Sequence, residues 1–197
     1  MRRSATNLNV WSEIAHLLRE AADDGDHPFA LPTLCSSGSG GLARGRMVVL
    51  RAADPDAATL RTYTDTRSVK VDHLQAHPEF SYVFWDRETR YQLMCGGPTH
   101  WADAAETDAV FADLPKHSRK AYATRSAPGT PLPGGGSDLP EDWDSLDLDG
   151  TDYARENFGI LVTTLAWADV LQLDRDGNRR ALGHRRAGEW TWEWITP

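Results

Sequence analysis

The sequence predicts a mainly β protein with flanking helices, an antiparallel α+β fold whose strands close into a barrel. Three observations carry that expectation. Short runs rich in β-branched and aromatic residues recur at 42–51, 59–64, 80–85, 90–101, 157–165, 168–174, 179–186 and 190–195. Helix-period stretches are few, so most successive strands lack the crossover helices that parallel pairing needs. Asp176-Gly177 marks a tight hairpin between two late strands. Short antiparallel strands of this kind remove their edges by closing on themselves.

Leu8, Trp11, Ile14, Ala15, Leu17 and Leu18 fall at helical spacing, with Glu13, Arg19 and Glu20 between them. The opening helix therefore has an apolar stripe to lay across the barrel or a partner subunit. In the strand 42–51, Arg46 and Arg51 differ in parity, so a straight strand aims them at opposite faces. Strand 59–64 runs into Asp65-Thr66-Arg67-Ser68-Val69-Lys70, and a short helix follows that stops at His77-Pro78. After strands 80–85 and 90–101, residues 102–114 and 116–124 read as helical, broken at Pro115. A Pro-, Gly- and Asp-rich stretch then forms a surface excursion, so 1–197 reads as one domain with a loosely ordered loop at about 126–152. Trp190, Trp192 and Trp194 share one face of the last strand. That face is either a packed barrel or dimer surface, the ordinary role of buried aromatics, or an aromatic wall for a flat ligand.

At 197 residues the chain is long enough for one substantial core. A net charge of −8 weighs against general binding to nucleic acid or anionic membranes, while leaving room for a local basic pocket. Two cysteines, Cys35 and Cys95, make no disulfide framework and suit a reducing compartment. The first residues lack the apolar core of a secretory signal, and no run is long enough to span a bilayer, so the expected location is cytoplasmic. Gly38-Ser39-Gly40-Gly41-Leu42-Ala43 matches G-x-G-x-x-A, but a strand follows it where a dinucleotide site needs a helix. The stretch from Ser145 to Glu156 has a calcium loop's glycine and final glutamate, yet begins with serine and lies just after Pro140. The histidines form no close metal-ligand pair, and no metal is expected.

The chemistry concentrates between Arg46 and Gly97. A helix beginning after Tyr63-Thr64 presents unpaired backbone N–H groups and the positive end of its dipole, where cations are ordinarily unfavourable. Arg67 and Lys70 nevertheless stand there, beside Thr64, Thr66 and Ser68. One reading is a solvated turn capped by Ser68 or Thr66. The other is an anion site, because a bound phosphate makes both cations favourable.

The order Arg-x-Val-x-Leu-Arg, then Tyr-Thr-Asp-x-Arg-Ser-x-Lys, then a helix ending before proline, then Tyr-x-Gln-x-x-x-Gly resembles the pyridoxamine 5′-phosphate oxidase superfamily. The likeness is dense over 44–97, looser at 101–125 and present again from 157 to 197. It implies an FMN-binding split β-barrel working as a homodimer, with two cofactor sites shared across the interface. Arg46 and Arg51 then flank the FMN-binding strand, the second standing where the oxidases usually have lysine. Tyr63, Thr64, Ser68 and Lys70 fall on the phosphate-binding turn. Val69 replaces an arginine that often precedes the lysine, and Arg67 supplies the missing charge in this reading. Gln92 matches the glutamine that bonds the flavin ring. Arg180 stands at the interval before Trp190 of an arginine that faces it.

The substrate features depart from the family. Asp176 and Asn178 occupy the positions of an Arg-x-His, a Gln-Ser pair has no counterpart in 126–150, and a flavin-side tryptophan is replaced within 170–173. The resemblance therefore implies an FMN oxidoreductase acting on a small molecule other than pyridoxamine phosphate. No residue stands out for substrate proton transfer. The alternative is a non-catalytic protein that binds flavin or haem on the same fold.

Overall fold

The computed structural model describes residues 4–38 and 40–197, with side chains from Val10 onward. Leu8 of the predicted stripe and Ser39 of the glycine-rich loop therefore lie outside the described side chains. Helix α1 (Ser4–Asp23) is followed by β1 (Thr33–Ser37), β2 (Ala43–Met47), β3 (Leu50–Asp54) and β4 (Thr59–Asp65). Helix α2 (Val69–Ala76) leads to β5 (Glu79–Trp85) and the long β6 (Tyr91–Trp101). Helices α3 (Ala104–Asp113) and α4 (Lys116–Arg119) precede β7 (Phe158–Thr164), β8 (Trp167–Gln172), β9 (Arg179–Arg186) and β10 (Glu189–Ile195).

All the strand pairs are antiparallel, but the expected barrel is not closed. One path of ladders runs β10-β9-β8-β6-β5-β1-β2, and β3-β4-β7 joins it as a branch at β6. Among the described residues the outermost strands β10, β2 and β3 each have a single neighbour, so the ladder does not return on itself. Two local causes are visible. The predicted strand 42–51 breaks at Val48-Val49, so its first half extends β1 while its second half pairs with β4. Strand β6 serves both parts of the sheet, pairing with β5 and β8 along its first part and with β7 at Thr99–Trp101. The passage is made at Gly96 and Gly97. A Cβ at Gly97 would sit 2.2 Å from the Thr164 carbonyl oxygen, and one at Gly96 2.6 Å from that of Phe80.

The core lies in two parts. Ile14 and Leu18 of α1, Phe29, Leu34, Tyr82 and Phe84 pack between helix and sheet. Phe111, Tyr122, Trp143, Phe158 and Ile160 form a second cluster under α3. Of the indole stripe on β10, Trp190 and Trp192 join the first cluster through Trp11, with ring centroids 4.6 and 5.8 Å away. The packed reading thus holds for these two rings, while Trp194 remains 44 % exposed. The excursion after α4 is tethered by Arg119, which is 2 % exposed and donates to the carbonyls of Phe111, Ala112, Leu114 and Leu148. Among the described residues no helix is long and apolar enough to cross a membrane.

Candidate functional site

Strand β4 ends in Thr64-Asp65, the chain turns, and α2 begins, so the side chains of 64–70 gather at one helix N-terminus. Asp65 makes the turn: its Oδ1 accepts the Arg67 backbone N–H at 2.8 Å, and its carbonyl accepts the Ser68 N–H. Ser68 occupies the N-cap position in extended backbone, yet its side chain makes no cap hydrogen bond. Its hydroxyl instead accepts from Lys70 Nζ at 2.9 Å and lies 3.3 Å from Thr64 Oγ1, which accepts from the same ammonium at 2.8 Å. The helix therefore keeps its positive end without a capping side chain.

A second cation arrives from the sheet. Arg46 on β2 lies opposite Leu34 on β1, and its Nη1 donates to Ser36 Oγ at 2.5 Å. Among the described residues neither Arg46 nor Lys70 has a carboxylate at ion-pair distance. Burial holds the Lys70 ammonium below the ordinary lysine range, the Arg46 charge pushes the same way, and Asp65 opposes both. Burial likewise lowers Arg46, with Arg44 adding to the effect. Two like charges thus stand half-buried at an uncapped helix start with hydroxyls but no carboxylate to balance them, an arrangement that a nearby anion would stabilise.

The remaining sequence-predicted residues are placed differently. Arg67 is a fork on Asp65, with Nε to Oδ1 at 3.1 Å and Nη2 to Oδ2 at 2.7 Å, and Nη1 reaches the Thr124 carbonyl at 3.0 Å. Its charge is paired here with a carboxylate only 5 % exposed, and in this arrangement it shapes the turn. Arg51 sits at a register shift of β3, and its guanidinium lies 5.2 Å from the centre of the Tyr63 ring. Tyr63 packs edge-on against Phe158, so Arg51 and Tyr63 form a second cluster beside the anion site. The parity difference between Arg46 and Arg51 survives as two separate destinations, though the strand between them is broken.

Gln92 and Arg180 share a row across the sheet, paired through Leu171 of β8, with Trp85 on the other side of Gln92. Residues directly opposed in register share a face, and on β6 the buried Leu93 and Cys95 point the other way. This row thus lies on the sheet face away from the α1 core. Arg180 is held there by a fork to Asp169, at 2.9 and 2.7 Å.

The sequence reading missed Ser36, His73, Asp65 and Asp169. Strand β1 carries only five residues, two of them serine, and shows no strong apolar alternation. The signal at Asp65 was present: an Asp two residues before an arginine in a turn is a ready Asx-turn and fork.

An uncapped helix start with two cations beside it, next to an antiparallel sheet with a glutamine on its open face, marks an α+β fold with a candidate anion site. Known proteins supply the family. Residues 8–102 match the family described as pyridoxamine 5′-phosphate oxidase, FMN-binding domain. The pyridoxine/pyridoxamine 5′-phosphate oxidase of Azorhizobium caulinodans is 37% identical over 87 residues, covering 44% of this chain and 40% of that protein. The enzyme of the same name from Caulobacter vibrioides is 33% identical over 119 residues, covering 60% and 52%. The matches thus span about half the length of these curated relatives or less. Among solved structures, a pyridoxamine 5′-phosphate oxidase-related, FMN-binding protein from Nostoc punctiforme superposes with a TM-score of 0.74 at 26% identity, covering 94% of this chain and 96% of its own. PhzG from Burkholderia lata, solved with tetrahydrophenazine-1-carboxylic acid, shares the fold with a TM-score of 0.70 at 15% identity, covering 96% and 90%. These likenesses support assigning the chain to the pyridoxamine 5′-phosphate oxidase-like superfamily of FMN-binding flavoproteins. FMN is the cofactor of that domain.

Proposed function

We propose that this chain is a flavin-dependent oxidoreductase that works as a homodimer on a substrate other than pyridoxamine phosphate. The observation that carries the reading is the uncapped start of α2 with Lys70 and Arg46 beside it, both bonded to hydroxyls and neither to a carboxylate among the described residues. Arg46, Lys70, Thr64 and Ser68 would hold the FMN phosphate, and Arg67 would keep the turn in shape. Arg51 with Tyr63 would lie along the cofactor, and Gln92 and Arg180, on the opposite sheet face from Arg46, would approach the ring of the cofactor whose phosphate the partner subunit holds. Bound FMN supplies the hydride and single-electron chemistry that no side chain here provides. The homodimer reading is supported by the open sheet face. Trp85 is 45 % and Met47 62 % exposed on it, and a flavin ring set against Gln92 needs a second wall.

Asp176 and Asn178 support the different substrate. They stand in the turn between β8 and β9, where Asn178 accepts the Asp174 N–H and Asp176 donates its own to Asp174. Such a turn offers no cation at the two positions that carry arginine and histidine in the oxidases. The test is calorimetric titration of the purified apo protein with FMN and riboflavin, read together with the flavin absorption bands. FMN should bind at least tenfold more tightly, and Lys70→Ala should remove most of that preference, a loss of about 1.5–3 kcal/mol for a charge-assisted hydrogen bond. Equal affinity for the two flavins would sink the assignment of the phosphate seat.

A further inference from the structure

Behind the anion seat lies a buried histidine that the cofactor reading does not use. His73, one turn after Lys70 on α2, is 7 % exposed and faces β1. Its Nδ1 lies 2.9 Å from Ser36 Oγ, the same oxygen that accepts from Arg46 Nη1. Gly38 roofs the ring so closely that a Cβ there would sit 3.1 Å from its Nε2 and Cδ2. Ser36 is itself 5 % exposed, so the relay has two buried members, Ser36 and His73, and a half-buried one, Arg46, at its outer end.

We infer that His73 is a positioning residue of this seat: through Ser36 it orients Arg46, and its protonation is coupled to the arrival of a dianion. The inference rests on the reading of the α2 start as a phosphate site. A hydroxyl has one proton and two acceptor pairs. With Arg46 donating to Ser36 Oγ, the serine proton is free to go to an unprotonated Nδ1, which makes His73 a neutral ring with its hydrogen on Nε2. When His73 takes up a second proton, Nδ1–H becomes the donor. Ser36 Oγ then accepts from both Arg46 and His73, and its own proton is released to be given elsewhere. The relay thus converts a proton on His73 into a free hydroxyl donor beside Arg46.

The surroundings favour the neutral ring as long as the seat holds cations alone. Burial acts first to keep His73 uncharged, followed by Arg46 and Arg44 on β2; Asp72 opposes them and His77 adds slightly. Lys70 stands one turn earlier on the same helix. A dianion placed against Arg46 and Lys70 cancels the repulsion that these charges impose, so protonated His73 becomes easier to form. By linkage, the anion must then bind more tightly as the pH falls through the histidine range.

Inorganic sulfate separates this effect from titration of the ligand, because sulfate remains a dianion throughout that range. Calorimetry on the wild-type apo protein should show affinity rising about fivefold between about pH 7.5 and about pH 5.5, as linkage to a single histidine that gains a proton on binding requires. In His73→Gln, whose amide can still bond Ser36 but cannot titrate, sulfate should bind with a change of less than about twofold over the same interval. An equal pH dependence in the two proteins would overturn the inference while leaving the anion seat standing. No competition between sulfate and FMN would overturn the seat and the inference together. Should the variant fail to fold, the wild-type imidazole signals decide by magnetic resonance: the His73 titration must move to higher pH on saturation with sulfate, and an unmoved titration refutes the coupling.

Discussion

Replacing Lys70 and Arg67 one at a time by methionine should change stability and cofactor affinity in opposite patterns, although both are cations of the same six-residue turn. Arg67 makes a two-pronged bond to Asp65 and a third bond to the Thr124 carbonyl, 57 residues away in sequence. Its removal leaves a carboxylate that is 5 % exposed with the backbone N–H of residue 67 and no counter-charge. Breaking a fully buried pair costs about 3–5 kcal/mol, and the guanidinium is 25 % exposed, so about 2–3 kcal/mol is expected. For a chain of this length that is a fall in Tm of about 4–12 °C. Lys70 has only two hydroxyl acceptors and sits beside another cation, so methionine relieves desolvation and repulsion while losing two hydrogen bonds. The two effects roughly offset, and apo stability should stay within about 1 kcal/mol of wild type. FMN affinity should fall at least tenfold in Lys70→Met and less than threefold in Arg67→Met, measured well below both melting points.

The assays are urea denaturation of the apo proteins and calorimetric FMN titration. A loss of more than about 2 kcal/mol of apo stability in Lys70→Met would refute this division of roles, as would an Arg67→Met protein that keeps its stability and loses FMN. A pH series adds a signed check. Because the folded pKa of Lys70 is depressed, the unfolded chain binds more protons than the folded one between that value and the ordinary lysine value. Wild-type apo stability therefore rises with pH through that window, and the methionine variant should lack this part of the rise.

Three further outcomes are expected. Pyridoxamine phosphate should be oxidised with kcat/KM at least about 100-fold below that of a true oxidase, since two lost charge-assisted contacts amount to about 3 kcal/mol; comparable turnover in a peroxide-coupled assay would be incompatible with the divergent-substrate reading. Sedimentation velocity should show a dimer whose fraction and melting temperature both increase with FMN, as mass action requires of a cofactor that bridges two chains; a monomer holding one FMN per chain would disprove the shared site. Arg119→Leu should cost about 2–4 kcal/mol, because four carbonyls, Thr151 and Asp152 lose a buried shared donor, and an unchanged urea midpoint would show that α3 and the 126–152 excursion do not depend on it.

How much of this was legible in the sequence depended on whether the deciding interaction is local. Eight of the ten strands begin within one residue of a predicted run, because period-two alternation and turn residues are short-range signals. The stop of α2 at His77 follows directly from Pro78. The barrel was not legible, because closure depends on which strand edges meet. Here the break at Val48-Val49 and the shared β6 leave β2 and β3 in different ladders. The same division applies to the site. Thr64, Ser68 and Lys70 lie within one turn, and their meeting could be read from spacing alone. Arg46 comes near α2 only because β2 pairs with β1 and α2 packs over β1, and the contacts of Ser36 and His73 are visible only through that packing.

Arg67 shows the opposite failure. Its charge suited a phosphate in composition, but Asp65 is its nearest anion, two residues away and almost fully buried. A buried carboxylate needs a cation more than a solvated ligand does, so the local pair forms first and the arginine is no longer available. Counting cations near a helix start therefore overstates an anion site. The number that matters is how many remain after the turn's own carboxylates are neutralised, and here the remainder is Lys70 from the helix and Arg46 from the sheet.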